Sequence, residues 1–227
     1  MNCKKYLSFF ILSLMIISCK SEDNTQVDED GIITGLQTKT LTHDNVNRNY
    51  LVYIPDSYDS EIDYPLMFVF HGFGGIATQF INSADMRDLA ESNNFIVVYP
   101  QGLDLGGTGS HWNCSNPSAD NKSDVDDIGF IENLIDQLIV DYPVIDSKRI
   151  YAAGYSNGGF MSYYLACNSK KFAAIGSVAG TMLDDSYQSC NANFPTAMIN
   201  IHGTNDFDVP YDGNTCLLYT SPSPRDP

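Results

Sequence analysis

Gly154-Tyr155-Ser156-Asn157-Gly158 fits the pattern G-x-S-x-G and runs on into Gly159. The chemistry it serves is nucleophilic. A serine on a tight strand-to-helix turn has its hydroxyl pushed clear of the sheet, at a helix N-terminus, and the glycines are needed because neighbouring side chains would collide. The same letters describe a Gly-rich helix start with serine as N-cap, so the reading depends on a buried strand before the motif and a helix after it. A second group, His71-Gly72-Phe73-Gly74-Gly75, follows an apolar run. Small residues there let backbone N–H groups approach a developing oxyanion. The N–H groups of Phe73 and Asn157 are the expected donors, and losing one such donor costs about 3–4 kcal/mol of transition-state stabilisation. His71, at a strand end, is read as orienting this loop. The third group is His202-Gly-Thr-Asn-Asp206-Phe-Asp208. A carboxylate there can hold a histidine in the right tautomer and stabilise its imidazolium. Asp206 is the first candidate and Asp208 the second. His202 precedes the acid, the reverse of the chain order expected of a catalytic histidine in this layout.

These groups need elements to position them. Residues 48–55 alternate in the manner of a half-exposed strand. Residues 64–70 and 95–99 are continuous apolar runs that suit strands buried on both faces. The spacing of Phe80, Met86, Leu89 and Ala90 predicts a helix over 79–93. A second helix is expected over 127–140, with Phe130, Ile131, Leu134, Ile135, Leu138 and Ile139 in the core. Strands are expected at 149–154, 172–178 and 196–201, with a helix over 157–166. This alternation builds an α/β domain around a mainly parallel sheet with helices on both faces. The segment 101–126, rich in Gly, Ser and Asn, is a loop of roughly 25 residues, long enough to expect a role in function.

The ends read differently from the middle. A basic start, an apolar run from Tyr6 to Ile17 and a small residue before Cys19 predict a secretory signal over residues 1–18. The run is too short to span a bilayer comfortably. Cys19 resembles the lipidated first residue of bacterial lipoproteins, which places the chain outside the cytoplasm, lipid-anchored at the outer membrane or cell surface, or secreted. Residues 19–33 form an acidic, solvated tether. Residues 216–227 have no helical or strand period and resemble the in-frame translation of a sequencing adapter. The domain is therefore expected over 34–215. The chain carries 12 Lys+Arg against 28 Asp+Glu, a net charge of −16. Such acidity repels phosphate backbones, so no nucleic-acid partner is expected. Of six cysteines, Cys167 and Cys190 flank one predicted strand and are the favoured disulfide. Cys114 stays free or pairs with something lost. No CxxC or His-rich run points to a metal.

Together, His71 to Gly75, Asp126-Asp127-Ile128-Gly129-Phe130, Gly154 to Gly159 and His202 to Asp206 are similar, in order, to the polyhydroxybutyrate depolymerase and feruloyl esterase group of α/β-hydrolases. The likeness covers about residues 34–213. It implies a serine carboxylic-ester hydrolase with Ser156 as nucleophile, Asp206 as the acid, no cofactor and no metal. It also implies a structural role for the acids at 126 and 127, and a disulfide like Cys167–Cys190. It points to feruloyl or acetyl esters on plant polysaccharide such as xylan as substrates. Polyhydroxyalkanoate and small esters are the alternatives, and a non-catalytic binding lipoprotein on the same fold is a reading of another class. Trp112, the only tryptophan, sits in the long loop beside His111, Asn113 and Asn116. It either stacks on a sugar or ferulate ring, with His111 alongside, or anchors the loop in the core. The family's catalytic histidine lies in a loop well after the acid, and no histidine follows His202. The domain is thus expected to be incomplete at its C-terminus and the chain to hydrolyse esters poorly or not at all.

Overall fold

The computed structural model describes residues 31–104, 107, 109–115, 123, 125–190 and 195–213. The expected signal, Cys19, all but the last residues of the tether, Asn116 and the segment 216–227 lie outside them. In chain order the elements are β1 (Gly35–His43), β2 (Val46–Ile54), β3 (Tyr64–Phe70), α1 (Ala77–Phe80), α2 (Arg87–Asn93), β4 (Ile96–Pro100), β5 (Leu103–Asp104), β6 (Ser110–His111), α3 (Asp127–Asp141), β7 (Ile145–Tyr155), α4 (Asn157–Asn168), β8 (Ala174–Val178), α5 (Asp184–Ser189) and β9 (Ala197–Ile201). Among the described residues, no helix is long and apolar enough to cross a membrane.

Seven strands form one sheet in the order β1-β2-β4-β3-β7-β8-β9. The pairs from β4 to β9 are parallel, and β1 and β2 add an antiparallel edge. The period of two along the strands sorts the core into two layers. Leu66, Phe68 and Phe70 of β3 and Ile96 and Val98 of β4 face α3 and α4. Val69 of β3 and Val97 and Tyr99 of β4 pack with Ala77, Ile81 and Ala90 on the other side, where α1 and α2 lie. Every residue of β4 is buried, as a strand covered on both faces requires. Beside α1 and α2 an apolar cavity of about 490 Å³ stays open between Phe80, Met86, Val69, Ala153, Tyr155 and Val178. The last strand is less covered: Met198, Ile199 and Ile201 of β9 are exposed.

Three expectations change. The helix over 79–93 is two short helices separated at 81–86. Tyr99 Oη accepts from the Met86 N–H (3.0 Å) and donates to the Ala84 carbonyl (2.8 Å), which draws this stretch out of the helical ladder. Leu89 is exposed as a consequence. The loop over 101–126 contains the short β5–β6 ladder. Strand β1 precedes the first strand expected from the sequence; its residues are mostly polar and half-exposed, so it carries no strong apolar alternation. The disulfide joins Cys167 at the end of α4 to Cys190 just after α5, and Cys114 is a free, buried thiol. Closing a loop of that size is worth about 3 kcal/mol.

The chain turns back on itself between β3 and β7. From β3 it proceeds to β4 on one side, then returns to lay β7 on the other side of β3. Ligands of open α/β sheets bind outside the carboxyl ends of the strands at such a switch point. The ends that meet here are Phe70 of β3, paired with Gly154 of β7.

One polar contact runs through this core. The Arg48 and Asp127 side chains are 1% and 2% exposed and meet at 2.6 Å. Arg48 also lies over the Phe130 ring at 4.0 Å. The second Asp127 oxygen accepts the Asn113 N–H at 2.8 Å. Arg48→Met is expected to cost about 3–5 kcal/mol, because it strands a buried carboxylate. The midpoint of urea unfolding reads this directly; a loss below about 1 kcal/mol would show that the pair carries little of the fold.

Candidate active site

The strand-to-helix turn forms where the glycine pattern requires it. Ser156 has φ 53° and ψ −118°, a conformation that L residues rarely adopt and that costs about 1–3 kcal/mol unless its surroundings hold it. Two glycines make the turn possible. A Cβ on Gly154 would lie 2.0 Å from the Gly158 carbonyl oxygen, and a Cβ on Gly158 would lie 2.3 Å from the Phe70 carbonyl oxygen. The Ser156 N–H donates to the Val178 carbonyl at the end of β8 (2.9 Å), and the Ser156 carbonyl accepts from Phe160 (3.0 Å) as α4 begins. The turn is thus pinned to β8 on one side and to its own helix on the other.

The loop after β3 lies against this turn. A Cβ placed on Gly72 would be 3.4 Å from Ser156 Cβ. The Gly74 N–H donates to the Ser110 carbonyl (2.7 Å) and the Gly75 N–H to the Gly72 carbonyl (3.0 Å). Ser110 Oγ donates back to the Gly75 carbonyl. His71 is fully buried. Its Nδ1–H donates to the Gly72 carbonyl (2.7 Å), and its Nε2 accepts from the Gly102 N–H (3.0 Å). Burial lowers its pKa, because the imidazolium would lose its hydration. Both ring nitrogens are engaged, so His71 orients the loop and has none left to take a proton. Phe73 is 48% exposed at the loop tip.

Two further side chains hold this arrangement: Gln101 did not stand out in the sequence, and Asn157 was expected only for its backbone N–H. Gln101 donates through Nε2 to the Gly75 (3.1 Å) and Gly102 (3.0 Å) carbonyls and accepts the Ala77 N–H (2.7 Å) through Oε1. It ties the oxyanion loop to the start of α1. Asn157 uses its side-chain amide as a second backbone: Oδ1 accepts the Trp112 N–H (2.8 Å) and Nδ2 donates to the Trp112 carbonyl (3.0 Å). The only available signal was an amide side chain directly after the serine.

Trp112 is 2% exposed and His111 is 4% exposed. The Trp112 ring packs edge-on against Phe70, centroids 5.2 Å apart. Its indole N–H donates to the His71 carbonyl (3.0 Å). A ring so enclosed has no face to offer a sugar or an aromatic acid. Trp112 and His111 therefore anchor the long loop, which corrects the expectation that they line the substrate site. Cys114 Sγ donates to the Trp112 carbonyl (3.1 Å). Burial pushes its thiol well above the ordinary value, with nearby Asp127 adding to the shift, so it is no nucleophile at neutral pH.

Asp206 lies in the loop after β9. Its Oδ1 accepts the N–H groups of Val209 (2.9 Å) and Asp208 (3.0 Å), and its Oδ2 lies 3.6 Å from His202 Nε2. His202 is nearly buried and donates from Nε2 to the Val209 carbonyl (2.7 Å). The Asp208 side chain is exposed. Asp126 caps α3 by accepting the Gly129 N–H (2.8 Å). With Asp127 in the Arg48 pair, both acids of that motif hold structure.

The geometry is that of a serine on a strained strand-to-helix turn facing the His71–Gly75 loop at the switch point of a mainly parallel sheet. Comparison with known proteins agrees. The sequence matches the prolyl oligopeptidase family over residues 83–192. It is 32% identical over 182 residues to a probable feruloyl esterase C of Aspergillus niger, across 77% of this chain and 61% of that protein. The chain has an α/β-hydrolase fold and is similar in sequence to feruloyl esterases. Feruloyl esterase C of Emericella nidulans is 31% identical over 180 residues, across 76% of this chain and 60% of its own length. The chain thus spans about three-fifths of the curated relatives it matches. Among solved structures, an acetyl xylan esterase from Aspergillus awamori superposes with a TM-score of 0.55 at 23% identity, covering 65% of this chain and 53% of that one. A thermostable esterase superposes at 0.60 and 18% identity, covering 86% and 57%. At those identities the superpositions speak for the fold.

Asn157→Ala in this α/β-hydrolase is expected to lower stability by about 1–3 kcal/mol, because the buried Trp112 N–H loses its partner. Chemical unfolding measures it. A variant as stable as the parent would show that the amide pairing is incidental.

Proposed function

We propose that Ser156 is the nucleophile of a carboxylic-ester hydrolase that works by acyl transfer on feruloyl or acetyl esters carried by plant polysaccharide. The observation that carries the reading is the strained Ser156 backbone, held between β8, α4 and the His71–Gly75 loop. A protein that only bound its ligand would have no use for that strain. The relatives named feruloyl esterases and the acetyl xylan esterase of the same fold support the substrate class.

In this reading the Ser156 hydroxyl attacks the ester carbonyl. The backbone N–H groups of Phe73 and Asn157 receive the oxyanion, the alcohol leaves, and water releases the acid. Asp206, already fixed by two N–H groups, orients the general base and stabilises its charge. None of the chain's four histidines is free for that task. His71 is bonded through both ring nitrogens, His202 is held through Nε2 on the Val209 carbonyl with its Nδ1 buried, His111 is buried, and His43 sits at the far end of β1 beside Asp44 and Asp126. Export is part of the same proposal: a disulfide between Cys167 and Cys190 suits an oxidising compartment, and Cys19 would carry the lipid anchor.

In the whole protein, Ser156→Ala is expected to lower kcat on methyl ferulate by up to about a millionfold. A loss of less than tenfold would sink the assignment of the nucleophile. The present chain, whose histidines are all buried or remote from the turn, is expected to release p-nitrophenol from p-nitrophenyl acetate no faster than its own Ser156→Ala variant. Ordinary esterase rates that vanish in the variant would show that a base lies among these residues.

A further inference from the structure

Away from Ser156, three side chains converge with no hydrogen bond between them. His43 ends β1. Asp44 begins the β1–β2 turn, where Asp44 and Asn45 have φ of 49° and 62°, the paired left-handed conformations of a tight hairpin. Asp126 comes from the distant start of α3. His43 Nε2 lies 3.6 Å from Asp44 Oδ2 and 3.5 Å from Asp126 Oδ2. One donor atom from each residue lies within 4.8 Å of the others. His43 Nε2 is buried and has no hydrogen-bond partner. All three residues border a cavity of about 180 Å³.

The His43 distances fit a metal ion better than a shared proton. A protonated imidazole donating to a carboxylate closes to about 2.7–2.9 Å. One Nε2–H cannot be directed at two carboxylates at once. Neither contact is that short. Ligands about 2.1 Å from a tetrahedral ion lie about 3.4 Å from one another, close to both separations. The donor set, one imidazole nitrogen and two carboxylate oxygens, suits an ion of intermediate softness. Charge is consistent as well. Arg48 borders the same cavity, but Asp127 matches its charge at 2.6 Å, which leaves the Asp44 and Asp126 carboxylates to balance a divalent ion. Asp126 is held for the role, since its Oδ1 takes the Gly129 N–H at 2.8 Å and its Oδ2 faces His43.

We propose that His43, Asp44 and Asp126 bind a divalent cation of the zinc class that staples the β1–β2 turn to the start of α3. The site is structural and independent of the proposed hydrolysis. Sequence spacing hid it, because two ligands are adjacent in a turn and the third lies more than eighty positions away.

The full chain, freed of metal with a chelator and returned to chelator-free buffer, is titrated with Zn²⁺ alone by calorimetry, with thermal unfolding in parallel. One equivalent is expected to bind, and the unfolding midpoint to rise by about 5–10 °C at a hundredfold excess over Kd. His43→Gln and Asp126→Asn are expected to abolish both effects. Asp44→Asn, at the exposed turn, keeps the test readable if the other two fail to fold, and is expected to weaken binding at least tenfold. Asp88→Asn, exposed on α2, is expected to bind as the parent does. The proposal is overturned if the parent shows no saturable Zn²⁺ binding, if His43→Gln or Asp44→Asn binds unchanged, or if the site takes Ca²⁺ or Mg²⁺ in place of Zn²⁺.

Discussion

Arg48 and Asp127 meet at 2.6 Å beneath the surface, where neither charge has water to fall back on. Burial pushes the Asp127 carboxyl upward, and Arg48 with the Asn113 N–H pulls it back. The long loop passes through this contact: Asn113 is bonded to Asp127, and Trp112 is its neighbour. From Trp112 the connection divides. Its indole N–H fixes the His71 carbonyl at the root of the oxyanion loop, and its backbone receives the Asn157 amide beside the elbow. The two halves of the site are therefore registered against each other through a loop that an ion pair holds down. A buried pair of this kind contributes little net stability over an apolar substitute, but removing one member is costly. Its use here is positional.

The elbow carries a local backbone cost, and the contacts around it show how that cost is met. Ser156 is bonded to the end of β8 and to the first turn of α4, and Gly158 lets the helix start press against the Phe70 carbonyl. Gln101 does the equivalent for the facing loop with one side chain that touches three backbone groups. Preorganisation of this kind is what electrostatic stabilisation of a transition state requires, since donors already fixed need no reorganisation during the reaction.

The strand-to-helix turn at Ser156, the small-residue loop after β3 and most strands were legible in the sequence because steric demand there leaves few residue types acceptable. Gly154 and Gly158 read as an elbow because nothing larger fits. The apolar runs at 64–70 and 95–99 read as central strands because two covered faces exclude alternation. Other features depended on partners far along the chain. Trp112 is an ambiguous letter until the His71 carbonyl is found at its N–H. The break at 81–86 depends on a tyrosine hydroxyl from β4. The order of strands, which makes the ends of β3 and β7 neighbours, is a property of the sheet that no single segment carries. Gln101 and the side-chain role of Asn157, whose backbone N–H alone was expected to matter, were hidden because amide side chains are common and only their contacts distinguish them.

The open side of β9 has a consequence for handling the protein. Among the described residues β9 is the edge of the sheet, and Met198, Ile199 and Ile201 leave it with apolar side chains exposed, beside β8, whose Val178 helps to line the cavity. The strand itself, Ala197–Ile201, contains no charge, proline or bulge to discourage another strand from adding to it. Short apolar β segments of this kind nucleate aggregates when they are left bare. The net charge of −16 opposes association at long range in dilute salt, and salt screens that repulsion beyond about 10 Å. Raising the ionic strength thus weakens the charge repulsion and leaves the sticky edge as it was, so colloidal stability of this chain is set by salt as much as by its fold.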